Sequence, residues 1–167
     1  MPFILRDFHP EDFETLWRID QECFPPGIAY SKAELKLYIR RRGAFTLVAA
    51  GTDKTYANKA DLNKAGANKS GVAGFIVVHA GAVGHVITID VVATARRDGV
   101  GSLLLGAAEV HLREGGSKAV GLEAAVDNRA ALLFYKRHGY EVVKTIPRYY
   151  SNGVDALVLR KELEAAG

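Results

Sequence analysis

Apolar residues along this chain change their spacing several times, and each change marks the edge of an element. Phe3 to Asp7 read as a first strand. His9-Pro10-Glu11-Asp12 follows, with a proline early and acids in the first turn, which is how a helix starts. Phe13, Leu16, Trp17 and then Asp20 to Phe24 carry that helix as far as Pro25-Pro26-Gly27. Ser31-Lys32-Ala33-Glu34 has the form of a capping box, and Leu35, Tyr38 and Ile39 continue at helical spacing. Ala44 to Ala50 reads as a strand. From Gly51 to Gly71 the periodicity disappears in favour of Lys, Asn, Ala and Gly, so a surface loop insertion or loose hairpin tip is expected there.

Order returns with VAGFIVVHA and VGHVITIDVVA, two β-rich runs that meet at Gly81 as a hairpin. RRDGVGSLLL opens a helix that runs to about Glu114 and stops at Gly115-Gly116. Ala119 to Val126 is a further strand. Asp127 or Asn128 caps a helix over RAALLFYKRH, which ends at Gly139. EVVKTI and DALVLRKEL supply two last strands around Arg148-Tyr149-Tyr150-Ser151-Asn152-Gly153. The order β-α-α-β-β-β-α-β-α-β-β predicts one mixed α/β domain over residues 1–167, built on a central sheet.

Composition narrows the function. The 22 basic and 19 acidic residues leave a net charge of +3, which gives no ground for nucleic-acid binding, although an anionic ligand suits a pI of about 9.0. A single cysteine, Cys23, excludes an internal disulfide. No run approaches the ~18 apolar residues of a membrane span. The opening residues lack the pattern of a signal peptide, so a cytoplasmic protein is expected. The five histidines show no metal-ligand spacing, and no metal is expected. His138, at a helix end, is expected to gain from the dipole there. No histidine is set to activate Cys23, which reads as a packing residue.

Two stretches carry chemistry. In the first, strand VITIDVV passes through Arg96, Arg97, Gly99 and Gly101 into an apolar helix. Free N–H groups at a helix start attract phosphate, and glycine lets the backbone come close. The two arginines add charge-assisted hydrogen bonds. Gly99 to Leu104 lacks the third glycine of a dinucleotide fingerprint, and no Walker lysine follows. The bare alternative is a tight turn that packs a helix on a sheet. In the second stretch, GLEAAVDNRAALLFYKRHGY, Glu123 lies within a strand beside small Gly121 and Ala125. Asn128 and Tyr135 share a face of the next helix. Glu123 is either functional or a water-facing end residue, and Tyr135 either functional or a core aromatic.

On these residues the chain resembles the GNAT superfamily of N-acetyltransferases. VVATARRDGVGSLLL is similar to its acyl-CoA loop, Arg/Gln-x-x-Gly-x-Gly/Ala, with Arg96, Gly99 and Gly101 in the defined positions. LEAAVDNRAALLFYKRHGY and RYYSNGVDALVL resemble the corresponding segments of ribosomal-protein alanine N-acetyltransferases and other N-terminal acetyltransferases. The resemblance implies a central mixed sheet of about seven strands flanked by about four helices. It implies direct acetyl transfer from acetyl-CoA to an amine. Val91 and Val92 would offer backbone groups to the pantetheine arm. Arg96, Arg97, Gly99, Val100, Gly101 and Ser102 would cradle the pyrophosphate, and Asn128 would hydrogen-bond the coenzyme.

The chemistry sets the remaining roles. An α-amine, with a pKa of about 8, is largely protonated at neutral pH and needs a proton acceptor. Glu123 is the candidate, directly or through water. Tyr135 is the candidate donor to the departing thiolate. Tyr149 and Tyr150 either wall the acceptor groove or serve as hairpin aromatics, and Tyr30 is a candidate for the opposite wall. The acceptor is expected to be a protein N-terminus, such as that of a ribosomal protein. A small amine and a non-catalytic acetyl-CoA sensor are the alternatives. A monomer or homodimer is expected, with no nucleic-acid or membrane partner.

Overall fold

A computed structural model of the protein describes residues 3–51 and 71–164. The elements are β1 (Phe3–Asp7), α1 (Phe13–Cys23), α2 (Lys32–Arg40), β2 (Ala44–Gly51), β3 (Val72–His79), β4 (Val83–Val91), α3 (Val100–Glu114), β5 (Ala119–Ala125), α4 (Arg129–Arg137), β6 (Glu141–Ile146) and β7 (Ala156–Glu162). They follow the order expected from the sequence. The insertion expected at 51–71 lies, apart from its two ends, outside the described residues. Those ends meet, with Gly51 N–H donating to Gly71 O at 2.8 Å.

Local chemistry sets the element boundaries. Ser31 Oγ accepts from Glu34 N–H at 3.1 Å and Glu34 Oε1 accepts from Ser31 N–H at 3.0 Å, completing the capping box of α2. Asn128, rather than Asp127, caps α4, its Oδ1 accepting from Ala131 N–H at 3.2 Å. Arg6 of β1 holds the buried Asp12 carboxylate through two bonds of 2.8 Å each. Asp12 also accepts from His9 N–H, which fixes the turn that leads into α1.

The strands form a seven-stranded sheet in the order β1-β2-β3-β4-β5-β7-β6. β3 is buried along its length as far as Val78, as its unbroken apolar run requires of a strand covered on both faces. On one face α3 and α4 pack through Val100, Leu104, Leu105, Leu112 and Tyr135. On the other, α1 and α2 contribute Leu16, Ile19 and Leu35. At the outer edge, β6 shifts register between Val142 and Lys144, and such an irregularity discourages pairing with another chain.

Every neighbouring pair of strands is antiparallel except β4 and β5. These two run parallel and pair only at Val83–Ala119, Gly84–Val120 and His85–Gly121. Beyond that point β4 continues to Val91 and β5 to Ala125, so the strands part. β4 carries one extra residue, Ile87, against β3, since Val77 faces Thr88 and Val78 faces Val86. A bulge of this kind bends its strand and re-aims the side chains that follow. α3 follows β4 and α4 follows β5, so both helices begin at the open end of the gap.

A buried polar chain ties the two halves together. Tyr140 Oη donates to Glu109 Oε2 at 2.7 Å, and Lys161 Nζ donates to Glu109 Oε1 at 2.8 Å. Tyr140→Phe removes one hydrogen bond to a charged acceptor, with an expected loss of about 1.5–3 kcal/mol in urea unfolding.

Candidate active site

The gap between β4 and β5 has a donor-rich side. Gly99 caps α3 with φ +80°, a left-handed conformation that side chains disfavour, and an added Cβ there would meet nothing within 4 Å. Leu103 N–H is the first to bond back, to Gly99 O at 3.0 Å. The N–H groups of Gly99, Val100, Gly101 and Ser102 therefore precede the helical ladder, at the positive end of the dipole. Gly101 answers to a different constraint. A Cβ there would lie 3.2 Å from the Phe134 ring of α4, so this glycine lets two helices meet.

The predicted neighbours of this turn divide in their geometry. Arg96 folds back, donating from Nε to Val91 O at 3.1 Å, with Nη2 3.7 Å from Cys23 Sγ. Arg97 is exposed. Val92 spends its N–H on Ala73 O at 2.9 Å, and its carbonyl accepts from Ala95 N–H at 2.9 Å. Backbone groups alternate in direction along a strand, so Val91 points to the gap where Val92 points to β3. Ser102 Oγ meets His138 Nε2 at 2.9 Å. His138 stands at the C-terminal end of α4, as expected, and burial foremost lowers its pKa.

The other side of the gap holds acids and aromatics. Glu123 of β5 meets His85 of β4, with Oε2 2.5 Å from Nε2, at the last paired position before the strands part. Both side chains remain partly open to solvent. Tyr149 and Tyr150 stack edge to face at 4.9 Å, and the Glu123 charge, after burial, raises the pKa of each. Burial foremost pushes Tyr150 up to about 12. Tyr30 packs against Tyr38 at 5.1 Å and donates from Oη to Ile87 O at 3.3 Å, at the bulge of β4. The loops bearing these tyrosines touch, since Ser151 Oγ donates to Gly27 O at 2.9 Å. At Gly27, φ +90°, a Cβ would lie 2.7 Å from Asn152 Cβ.

Tyr135 approaches from α4. It is buried, with its ring edge-on to Phe134 at 5.3 Å and to Tyr140 at 5.6 Å. Burial, reinforced by Asp90 and Tyr150, raises its pKa well above the ordinary phenol value, so it holds its proton. Cys23 donates to Val91 O at 3.5 Å, and burial pushes its thiol up to about 11, which leaves it protonated and unreactive.

Glu123, His85, Tyr149, Tyr150 and Tyr30 thus gather on the side of the acids and aromatics, with the start of α3 and Val91 on the donor-rich side. The sequence reading did not single out His85. It belongs to no motif, and only the parallel pairing of β4 with β5 sets it against Glu123. Asp20 and Asp90 were also passed over, although Asp20 continues the apolar series 13, 16, 17 and Asp90 interrupts an apolar strand.

Comparison with known proteins follows the same lines. The profile of the acetyltransferase (GNAT) family matches residues 13–140. An N-alpha-acetyltransferase of Sulfurisphaera tokodaii is 37% identical over 81 residues, covering 48% of each chain. The human N-alpha-acetyltransferase 30 is 38% identical over 77 residues, 46% of this chain and 21% of that one. The matches thus span about half or less of these relatives. Ard1 from Thermoplasma volcanium superposes with a TM-score of 0.81 at 26% identity, covering 98% of this chain and 99% of that one. A ribosomal-protein alanine N-acetyltransferase from Escherichia coli, at 18% identity, shares the fold with a TM-score of 0.77, covering 99% and 96%. With a family match over most of its length and a seven-stranded sheet parted between β4 and β5, this chain belongs to the acetyltransferase (GNAT) family.

Proposed function

We propose that this protein transfers an acetyl group from acetyl-CoA directly to the α-amine of a protein N-terminus. The observation that carries this reading is the His85–Glu123 contact at the fork of β4 and β5, across the gap from the uncapped N–H groups of α3. The relatives named N-alpha-acetyltransferases support the choice of acceptor. No helix among the described residues is long and apolar enough to cross a membrane.

Bound acetyl-CoA supplies the activated thioester. The residues present fit it, because Gly99 leaves open space at a helix start and strand alternation turns the Val91 N–H away from β3, its carbonyl being held by Arg96 and Cys23. The N–H groups from Gly99 to Ser102 hold the pyrophosphate, with Arg97 free to swing toward it. Asn128 uses its Oδ1 to cap α4, which leaves its amide nitrogen for the coenzyme. Glu123, with His85 beside it, takes a proton from the incoming ammonium, directly or through water, and the neutral amine then attacks the carbonyl carbon. As the carbon–sulfur bond breaks, Tyr135 donates to the thiolate the proton that burial has kept in place until then, and the proton shed by the new amide nitrogen restores the phenol. Tyr149 and Tyr150, which feel the Glu123 charge, flank the acceptor, and Tyr30 lies beside them.

Three measurements test this reading. Glu123→Gln and Tyr135→Phe should each lower kcat by roughly 10²–10⁴-fold, the usual weight of general acid–base catalysis, with the KM for acetyl-CoA little changed. Turnover within twofold of the parent for both would exclude these roles. Gly101→Val, which drives α4 away from the start of α3, should raise the KM for acetyl-CoA by about tenfold or more, a cost of about 1.4 kcal/mol. Labelled acetyl-CoA offered with a peptide library and an amine panel should mark free peptide α-amines. Labelling confined to small amines would move the assignment to a small-molecule acetyltransferase, and binding without transfer to any acceptor would make the protein a sensor.

A further inference from the structure

Two carboxyl groups with no part in those steps lie behind the acceptor wall. Asp20, on the buried face of α1, is 0% exposed, and Asp90, near the end of β4, is 1% exposed. Each has one oxygen accounted for. Asp20 Oδ2 accepts from Tyr30 N–H at 2.7 Å and lies 3.4 Å from Gln21 Nε2, while Asp90 Oδ1 accepts from Thr88 Oγ1 at 2.5 Å. The remaining oxygens, Asp20 Oδ1 and Asp90 Oδ2, are buried and receive no hydrogen bond from an ordinary donor. The two carboxyl groups lie within hydrogen-bonding reach of each other.

Two adjacent carboxylates cannot both remain ionised away from water. Arg96 is the cation that faces Asp90, but its hydrogen bonds go to Val91 O and Cys23 Sγ. Among the described residues, the other titratable groups facing the pair are a carboxylate, a thiol and two phenols. Glu34 of α2 faces Asp20. Cys23 of α1 and Tyr135 of α4 both feel Asp90. Tyr30, in the loop after α1, feels Asp20. Burial first raises the proton affinity of both carboxyl groups. The Asp20 charge and hydrogen bond raise it further at Asp90, whereas the hydrogen bond from Asp90 lowers it at Asp20, so the proton rests on Asp90.

We propose that Asp20 and Asp90 share one proton, with Asp90 Oδ2–H donating to Asp20 Oδ1, and that this acid–carboxylate bond pins α1 and the Tyr30 segment to β4. Both orphan oxygens are then satisfied by one hydrogen. The bond completes a clamp on Tyr30, whose carbonyl accepts from Trp17 Nε1 at 3.1 Å and from Gln21 Nε2 at 2.7 Å. Its hydroxyl reaches Ile87 O, so Asp20 and Asp90 act as positioning residues for the wall beside the β4 bulge. Placing Tyr30 in the acceptor groove rests on the proposed function, whereas the shared proton does not.

The pH dependence follows from linkage. An aspartate titrates near pH ~3.9 in the unfolded chain, and Asp90 titrates higher in the fold. The fold therefore holds an extra proton between those two values. The stability contributed by the pair is complete below the unfolded pKa and is lost as pH rises through the folded one, when the proton leaves to solvent and two anions face each other.

Infrared difference spectroscopy of the whole protein in D2O at neutral pH tests the proton directly. The parent should show the carbonyl stretch of a protonated carboxylic acid, and Asp90→Asn, whose amide can donate to Asp20 in place of the acid, should lack it. The same variant should keep its melting temperature nearly constant where that of the parent falls with rising pH. Absence of the band in the parent, or its survival in Asp90→Asn, would overturn the shared proton. With the band established, Asp20→Ala should raise the KM for a peptide acceptor by roughly tenfold, the loss of one hydrogen bond to a charged group. An unchanged KM would overturn the positioning role and leave the proton assignment standing.

Discussion

The parting of β4 from β5 is the constraint on which the rest of this structure depends. Three paired positions join the two halves of the sheet, and the pairing ends at His85 and Gly121. Had it continued, Val91 would pair with β5 in place of the bonds that its carbonyl accepts from Arg96 and Cys23. Several features hold the strands apart. The bulge at Ile87 bends β4, the ring of Phe134 fills the space over Gly101, and α3 and α4 both begin at the open end. The Tyr140–Glu109–Lys161 chain joins the halves elsewhere, so the gap does not depend on sheet hydrogen bonds for its stability.

The gap separates two kinds of electrostatics. On the α3 side lie helical N–H groups and two arginines, which favour a polyanion. On the α1 and β7 side lie Glu123, the tyrosines and the Asp20–Asp90 pair, which favour an incoming cation such as an ammonium. Net charge says little about either side, because opposite fields within ~10 Å cancel in the sum and act separately at short range. The +3 of the whole chain is compatible with both. Burial governs the protonation of the second side. It keeps the tyrosines and Cys23 protonated, and it puts Asp90 in a setting where a lone charge would be costly.

Much of the fold was legible because its signals are local. Ser31 and Glu34 cap α2 from three residues apart, Asn128 caps α4, and the apolar run of β3 needs cover on both faces whatever surrounds it. The turn from Arg96 to Ser102 was legible as a motif for the same reason, since its geometry is made within a few residues. The motif did not show that Gly101 yields to Phe134, that Arg96 folds back on Val91, or that Val92 is committed to Ala73 and Ala95. Each of those depends on a partner remote in the chain or on the phase of a strand.

The sequence by itself determined the elements, their order and the glycine turn that opens α3, because periodicity, caps and glycine placement act between near neighbours. Only the tertiary structure decided which acids and bases meet. His85 and Glu123 are 38 residues apart and meet through one parallel register, while Asp20 and Asp90 are brought together by α1 crossing β4. A shift of one residue in either strand would turn those side chains to the opposite face. Such contacts lie beyond any local pattern because they arise from the packing of the whole sheet.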